Sequence, residues 1–388
     1  MKLRWIIALP PTVLALLLSG CAARPARPAG GDLNHLTEQL RSLRQKFAPD
    51  AHLAIYDVDF TLHGERLILS GNTDSEAAHR ETVRVAEQTG FKITDEIRML
   101  PDAALGETNW GITTISVANG REGKEHKAEL GTQTVMGEVV RVLQRDRRWL
   151  FIQTHDQYPS WMESGSVKTC TRPEADAWEN APLLIVTELE GMIREAPAPD
   201  APPVSDVVLG GRVKKTGETG DWFQVELPDG RTGYLPRNSA TDFAAWKQAR
   251  KPTPDNIERT ARQFIGRPYL WGANTPRGMD CSGLTKLTFF LNGIELHRNA
   301  SQQARQGVEV PIDRDLSQLR PGDLLFFGFE RPDDTSGRIT HTAIYLGNKL
   351  IIQSSQRVRL SSLDPDSPLA DPARIRGLLK ARRILPDN

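Results

Sequence analysis

The chain reads Asp280-Cys281-Ser282-Gly283-Leu284 where an apolar stretch begins that continues to Leu291. The stretch predicts a helix whose first residue is Cys281. The first turn of a helix has unpaired N–H groups and the positive end of the dipole, and both stabilise a thiolate. Cys281 is therefore a candidate nucleophile, although a lone buried cysteine more often serves as a small apolar side chain.

A histidine on a separate element could activate this thiol. His341 lies 60 positions after Cys281, in an alternating run from 339 to 346 that predicts a strand. A neutral imidazole can take the proton of a thiol, so a Cys followed by a His is the minimum for thiol nucleophilic catalysis. The two residues together, each beside a glycine turn, indicate this chemistry more strongly than either alone.

Four motifs in a fixed order resemble the NlpC/P60 cysteine peptidases, which cut peptides of the bacterial cell wall. They are Tyr269-Leu270-Trp271-Gly272, Asp280-Cys281-Ser282-Gly283, Pro321-Gly322-Asp323-Leu324 and the run from His341 to Gly347. The matching segment covers residues 253–388. It resembles the γ-D-glutamyl-L-diamino acid endopeptidases of the dipeptidyl-peptidase VI type. The resemblance implies a papain-like α+β catalytic domain with no metal and no cofactor.

The resemblance also implies catalytic roles. Cys281 would attack an amide carbonyl, and His341 would accept the proton and then return it. Gln353 stands where the family has a third polar residue, most often His, that orients the imidazole. Its amide oxygen can accept a hydrogen bond but carries no charge, so a degenerate protein that only binds stays open. Tyr269 resembles the tyrosine that helps to hold the oxyanion, unless it only packs on Trp271.

The same resemblance implies substrate contacts. Trp271 and Asp280 look like residues that line the cleft, and Ser282 looks like a substrate contact. Asn299 and Ala300 stand where members that require a free N-terminal L-Ala typically have Asp and Ser, which bind its ammonium. One charge and one hydroxyl are therefore missing, which makes selection for a free amine uncertain.

From about Trp110 to Tyr234 the sequence repeats at an offset of 73, which places Trp149 on Trp222 and Trp161 on Tyr234. Short alternating strands between Gly, Asp and Pro turns predict two small β-barrels, which resemble bacterial SH3 (SH3b) domains. The proline-rich stretch near residue 200 is then a loop of the second barrel rather than a linker.

In peptidases that join SH3b domains to NlpC/P60, the first barrel closes one end of the substrate cleft, and Glu129 and the Tyr158 loop resemble the parts that meet the substrate's free amine there. Tyr158 matches Arg231 in the repeat, which predicts an exposed tyrosine at a loop tip, either a ligand contact or an unremarkable surface residue. Glu129 would supply the negative charge and, with Asn299 and Ala300 uncharged, would be the only charged partner left.

The N-terminal part shows helical spacing at Leu33, Leu36, Leu40 and Leu43, two strand-like runs and a second helix. An αββαβ unit is predicted, faintly similar to BON domains, with a spacer or protein-contact role. Before it lie a charged n-region, a short apolar segment and the tetrapeptide Leu18-Ser19-Gly20-Cys21, which resembles a lipobox. Cys21 would be a lipid anchor in the periplasm, at the outer membrane because Ala22 follows. The alternative is an ordinary secretory signal.

Composition limits the partners. Lys plus Arg equals Asp plus Glu at 49 each, so no charge excess favours nucleic acid. Three cysteines give no disulfide framework, although a bridge between Cys170 and Cys281 stays open. A monomer is expected, with wall peptide as partner and the membrane reached through lipid.

The predicted fold class is a multidomain α+β protein. The predicted domains are a signal peptide (1–20), a tether (21–31), the αββαβ domain (32–107), the SH3b domains (108–168 and 182–242) and the catalytic domain (253–388). The predicted function is cleavage of the γ-D-Glu to diamino acid amide bond of peptidoglycan stem peptides through a thioacyl-enzyme. The alternatives are a non-catalytic wall-binding adaptor and an acyltransferase that uses the same Cys-His pair.

Overall fold

The computed structural model describes residues 33–331 and 334–386. Cys21, the leader and the predicted tether lie outside the described residues. Within them, an N-terminal domain, two β-barrels and a C-terminal domain follow one another along the chain, so the predicted multidomain α+β class is confirmed.

The N-terminal domain has the predicted αββαβ order. Its elements are α1 (Leu33–Phe47), β1 (Tyr56–His63), β2 (Arg66–Thr73), α2 (Glu76–Glu87) and β3 (Lys92–Met99). β2 lies in the middle of the sheet, antiparallel to β1 and parallel to β3. Leu36, Leu40 and Leu43 form the buried stripe of α1, as their helical spacing predicts.

The first barrel is a seven-stranded sheet. Its strands are β4 (Trp110–Thr113), β5 (Val117–Arg121), β6 (Leu130–Val135), β7 (Val139–Asp146), β8 (Trp149–Gln153), β9 (Pro159–Glu163) and β10 (Val167–Cys170). They pair in the order β10-β4-β7-β8-β9-β5-β6. The helix α3 (Arg172–Glu179) then leads to the second barrel.

The second barrel repeats the first. Its strands are β11 (Leu183–Val186), β12 (Glu190–Arg194), β13 (Pro203–Val208), β14 (Arg212–Thr219), β15 (Trp222–Glu226), β16 (Thr232–Pro236) and β17 (Ala240–Asp242). They pair in the order β17-β11-β14-β15-β16-β12-β13, which corresponds strand by strand to the order of the first barrel. Residues 195–202 connect β12 to β13, so the proline-rich stretch is a loop of this barrel, as predicted.

The C-terminal domain places helices against a six-stranded antiparallel sheet. The helix α4 (Phe243–Ala249) connects the second barrel to this domain. The helices of the domain are α5 (Pro254–Arg262), α6 (Cys281–Leu291), α7 (Ala300–Gln303) and α8 (Pro372–Gly377). Its strands are β18 (Asn274–Thr275), β19 (Gly278–Met279), β20 (Val308–Val310), β21 (Leu324–Arg331), β22 (Asp334–Gly347), β23 (Leu350–Ser355), β24 (Arg357–Ser362) and β25 (Leu378–Arg383). β18 and β19 form a hairpin, and the large sheet has the order β20-β25-β21-β22-β23-β24. The buried side of α6 packs on this sheet through an apolar core that includes Leu284, Phe326 and Ile344.

Hydrogen bonds between the side-chain amide of Asn274 and the backbone of Gln133 join the C-terminal domain to the first barrel. Asn274 Oδ1 accepts from the Gln133 N–H at 2.8 Å, and Asn274 Nδ2 donates to the Gln133 carbonyl at 3.2 Å. Nearby, a Cβ on Gly272 would lie 1.8 Å from the Leu130 carbonyl oxygen. Only a residue without a side chain fits there, which explains the glycine that follows Trp271.

Candidate active site

Cys281 is the first residue of α6, as predicted. Asp280 caps the helix, because its Oδ1 accepts from the Gly283 N–H at 2.7 Å. Gly283 is required at this place since a Cβ there would lie 2.2 Å from the Ala273 carbonyl oxygen. The sequence Asp-Cys-Ser-Gly therefore sets a capped helix start tightly against the preceding loop, with the thiol at its first position.

His341 lies on β22, and the strand brings it beside the thiol. The backbone of its neighbour Thr342 lies close enough to the sulfur of Cys281 to favour the thiolate and so to lower the pKa of the thiol. On the adjacent strand β23, Gln353 Oε1 lies 2.7 Å from His341 Nε2. The three predicted catalytic residues Cys281, His341 and Gln353 are thus gathered at one place, all of them buried.

The amide of Gln353 is oriented by three further groups. Its Oε1 also accepts from Arg374 Nε at 3.0 Å. Its Nε2 donates to Ser361 Oγ at 2.8 Å and to Asp371 Oδ2 at 2.9 Å. Turning the amide over would place an NH₂ group against the Arg374 donor and an oxygen against the Asp371 carboxylate. These partners therefore allow only one orientation.

This orientation also determines the tautomer of His341. Gln353 presents an oxygen, which can only accept, so Nε2 of His341 carries the hydrogen and donates it. The other ring nitrogen, Nδ1, then has a lone pair and can take the proton of the Cys281 thiol. Gln353 can therefore perform the orienting role that the resemblance implies.

Burial keeps both catalytic groups neutral in the free enzyme. It raises the pKa of the Cys281 thiol to about 11, aided by the charge of Asp280. It lowers the pKa of His341 to about 3, aided by the positive charge of Arg374. Desolvation of the sulfur therefore opposes the stabilisation that the N–H groups of the helix start give to a thiolate. The proton must move to His341 as the sulfur attacks.

Tyr269 and Trp271 line the same cleft as Cys281, which has a volume of about 920 Å³. Burial, with the charge of Asp280 nearby, raises the pKa of Tyr269, so its hydroxyl stays protonated as a hydrogen-bond donor. Trp271 is 59% exposed and its Nε1 donates to Glu129. A large exposed ring in a cleft offers an apolar face to a ligand.

Asp280, Ser282 and Arg298 form one buried network. Arg298 donates to both carboxylate oxygens of Asp280, at 3.1 Å and 2.6 Å, and to Ser282 Oγ at 3.0 Å. Asp280 also accepts from the Gly272 N–H at 3.0 Å. Asp280 and Ser282 reach the cleft as predicted, but their polar atoms hold the cleft wall together.

The prediction that Tyr158 is exposed is wrong, since the residue is only 3% exposed. Its hydroxyl donates to Glu122 Oε1 at 2.8 Å, and its ring stacks on that of His52 with centroids 4.9 Å apart. The equivalent residue Arg231 has neither partner, because His52 belongs to the N-terminal domain and covers only the first barrel. Tyr158 nevertheless lines the cleft with Cys281.

Glu129, predicted to be the only charged partner of the amine, is not the only carboxylate at this end of the cleft. Glu122 and Glu129 both line the cleft, together with Asn299 and Ala300. Asn299 is the N-cap residue of α7. The cleft therefore has an acidic end with two carboxylates despite the uncharged residues at 299 and 300.

Several residues of the site were not identified from the sequence. They are Glu122, His52, Arg298, Ser361, Asp371 and Arg374. Asp371-Pro372 is a recognisable helix start, and Asp371 does cap α8. Nothing local indicated that this helix would bring Arg374 and Asp371 to Gln353.

Cys170 and Cys281 are both free, so no bridge joins them in the described structure. Cys170 is buried on β10 in an apolar cluster. Among the described residues, His, Cys, Asp and Glu side chains form no group of three that could hold a metal ion. None of the described helices has the length and apolar character needed to cross a membrane.

Three segments of the chain match known domain families. Residues 266–371 match the NlpC/P60 family, residues 121–167 the bacterial dipeptidyl-peptidase SH3 domain and residues 191–240 the bacterial SH3 domain. The chain therefore contains an NlpC/P60 domain preceded by two SH3 domains. Its class is that of the NlpC/P60 cysteine peptidases.

The chain is also similar to characterised proteins. A γ-D-glutamyl-L-lysine dipeptidyl-peptidase of Bacillus cereus is 27% identical over 327 residues, which cover 82% of this chain and 94% of the relative. The dipeptidyl-peptidase 6 of Lysinibacillus sphaericus is 26% identical over 257 residues, or 62% of this chain and 87% of the relative. Murein DD-endopeptidase MepH of Escherichia coli is 40% identical over 111 residues, or 27% of this chain and 38% of the relative.

One solved structure shares the fold over most of the chain. It is the crystal structure of an NlpC/P60 family protein from Bacillus cereus ATCC 10987, with a TM-score of 0.61 and 24% sequence identity. The similarity covers 71% of this chain and 100% of the other. At this identity the likeness supports the fold and not the substrate.

Proposed function

We propose that this cysteine peptidase cleaves the amide bond between γ-D-Glu and the diamino acid of peptidoglycan stem peptides. The observation that carries the proposal is that one cleft is lined by both the candidate nucleophile Cys281 and the carboxylates Glu122 and Glu129. An acidic end suits the ammonium of a peptide that begins with a free amine. The name of the Bacillus cereus relative, a γ-D-glutamyl-L-lysine dipeptidyl-peptidase, supports this choice of bond.

The reaction divides into two steps. In the first, Cys281 Sγ attacks the carbonyl carbon while His341 Nδ1 takes the thiol proton; the C–N bond then breaks as His341 gives the proton to the leaving amine. In the second, water attacks the thioester with His341 as base, and the sulfur leaves as the thiol. The Tyr269 hydroxyl and the Cys281 N–H are the donors that would hold the oxyanion in both steps.

The cleft also contains positive charge for the carboxylates of such a substrate. Arg305, Arg338 and Lys380 line it along with Cys281 and Tyr269. A stem peptide has a free α-carboxylate on its γ-linked glutamate and another on its diamino acid. Cations and anions in one cleft therefore match a substrate that carries both an ammonium and carboxylates.

The test is incubation with L-Ala-γ-D-Glu-diaminopimelate, with Cys281→Ala as the control. The expected products are L-Ala-γ-D-Glu and free diaminopimelate, identified by mass spectrometry, and none with the control variant. A cross-linked muropeptide should be assayed in parallel, because MepH is named a DD-endopeptidase. Cleavage of the cross-link with the tripeptide left intact would overturn the proposed bond.

The same assay separates the alternative classes. A wall-binding adaptor would bind the peptide without turnover and would form no thioester when the reaction is quenched in acid. An acyltransferase would pass L-Ala-γ-D-Glu to an added amine such as glycinamide in preference to water. We expect hydrolysis to be the main reaction whether or not the amine is added.

We propose further that the enzyme is exported and anchored in the periplasm at the outer membrane through lipid on Cys21. The support is the sequence Leu18-Ser19-Gly20-Cys21 after a short apolar segment, with Ala22 behind it. In a Gram-negative host, the wild-type protein should fractionate with outer membranes, and mass spectrometry should find diacylglycerol on Cys21. A Cys21→Ala variant that still fractionates with the outer membrane would contradict the anchor.

A further inference from the structure

A loop of the N-terminal domain reaches the substrate cleft. His52, between α1 and β1, lines the cleft that contains Cys281. Its ring lies nearly parallel to that of Tyr158, at an interplanar angle of 17° and a centroid distance of 4.9 Å. Its Nε2 is 3.6 Å from Glu122 Oε1. The N-terminal domain therefore contributes a side chain to the acidic end of the cleft.

The loop is held in this position from the catalytic domain. Asp50 Oδ1 accepts from Gln302 Nε2 at 3.1 Å, and its Oδ2 accepts from Arg305 Nη2 at 3.3 Å. Gln302 belongs to α7, and Arg305 follows this helix and lines the cleft. The hydrogen bonds thus connect the loop to the segment that carries Asn299 and Ala300.

A second set of contacts attaches the domain to the first barrel. Ile55 and Leu100 of the N-terminal domain form a buried cluster with Leu143 of β7, against which Phe151 of β8 packs. The Asp102 N–H also donates to the Leu143 carbonyl at 2.7 Å. Because the loop is attached on both sides, His52 is held against Tyr158 and Glu122 rather than left free in solvent.

The acidic end is complete only with His52. Glu122 accepts from the Tyr158 hydroxyl, and His52 stacks on the ring of that tyrosine and approaches the same carboxylate. A positively charged group bound by Glu122 would lie next to the imidazole. A group attached to the amine, such as an acyl chain, would need the space that these three side chains occupy.

We propose that His52 is a specificity-determining residue, which closes the amine end of the cleft so that peptides with a free N-terminal ammonium are accepted and N-acylated peptides are excluded. The inference rests on the proposed function and adds to it a role for the N-terminal domain. The domain is then part of the substrate site and not only a spacer.

The experiment compares kcat/KM for L-Ala-γ-D-Glu-diaminopimelate and its N-acetyl form in the full chain. Wild type is expected to prefer the free amine. His52→Ala should lower this preference about tenfold, the upper range for loss of one aromatic contact, with KM for the free amine raised and kcat little changed. His52→Phe, which keeps a flat ring, should still exclude the acetyl form. His63→Ala is the matched control, because His63 is an exposed histidine of the same domain.

The outcomes separate the inference from the function on which it rests. If wild type cleaves neither peptide, both the proposed function and the inference are overturned. If wild type cleaves the free peptide but His52→Ala keeps the preference of His63→Ala, the inference alone is wrong. His52 retains 38% of its side-chain exposure, so the variants should fold. Should His52→Ala fail to do so, His52→Gln keeps a polar tip without the ring and must show the same loss.

Discussion

Gln353 orients the ring of His341 through its amide oxygen, which also accepts a hydrogen bond from Arg374. Gln353 Oε1 lies 2.7 Å from His341 Nε2 and 3.0 Å from Arg374 Nε. The nearest carboxylate in this network, Asp371, binds the other end of the same amide at 2.9 Å. The imidazole is therefore oriented by a neutral group whose own direction is fixed by two charged residues, Arg374 and Asp371.

Substitutions of Gln353 should show that the orientation of His341, and not a negative charge at position 353, is needed for activity. Gln353→Leu removes the acceptor of the His341 N–H, so the ring can turn and kcat should fall about 10²-fold, the lower range for loss of general acid–base catalysis. Gln353→His, which restores the residue type common in the family, should keep most of the activity. Steady-state kinetics on L-Ala-γ-D-Glu-diaminopimelate measure both effects. A Gln353→Leu enzyme with wild-type kcat would show that the amide does not position His341.

Removing the charge of Arg374 should raise the pKa of His341. The positive charge of Arg374 is, after burial, the main cause that holds this pKa down. In Arg374→Met the imidazolium loses a neighbouring cation, so protonation becomes easier. NMR titration of the His341 ring protons measures the shift. Arg376→Met is the control, since Arg376 is an exposed arginine on the same helix, α8. Equal titration of the two variants would contradict the electrostatic role of Arg374.

The neutral state of the Cys281 and His341 pair predicts the pH dependence of thiol alkylation. Burial raises the pKa of Cys281 to about 11, so the thiolate fraction should grow about tenfold for each pH unit below that value. The rate of iodoacetamide alkylation should therefore rise steadily between about pH 6 and pH 9. A background with both Cys21→Ser and Cys170→Ser isolates the signal from Cys281. A rate that is flat over this interval would instead mean a thiolate–imidazolium pair.

Local patterns predicted the positions of the catalytic elements. The cap at Asp280 and the apolar run to Leu291 are sufficient to place the start of α6, and alternation is sufficient to place His341 on a strand. The offset of 73 between Trp149 and Trp222 likewise predicted two barrels of the same strand order. These features depend on neighbouring residues along the chain, and a single sequence contains that information.

The surroundings of the site could not be predicted in the same way. Tyr158 was expected to share the exposure of its repeat equivalent, but a residue from another domain covers it. His52 and Glu122 are 70 positions apart in the chain, and nothing near either residue shows that they meet. The pKa values of Cys281 and His341 likewise depend on burial, which tertiary packing determines. Long-range contacts of this kind leave no periodic signal in one sequence.

Gly272 provides a test of how tightly the barrel and the catalytic domain fit together. Gly272 has a positive φ of 76°, and an added Cβ would lie 1.8 Å from the Leu130 carbonyl oxygen. Gly266 has a similar φ of 89°, but a Cβ there would meet nothing within 4 Å. Gly266→Ala should cost about 1–2 kcal/mol of unfolding free energy, the cost of the left-handed conformation alone.

Gly272→Ala should cost clearly more than Gly266→Ala, because the methyl group must also push Leu130 away. Leu130 and Gly272 both line the cleft, next to Trp271 and Glu129. The displacement should therefore raise KM for the free-amine peptide in Gly272→Ala and leave it unchanged in Gly266→Ala. Chemical denaturation and steady-state kinetics measure the two effects. If both variants lose the same stability and keep the same KM, close contact with the barrel is not the reason for glycine at position 272.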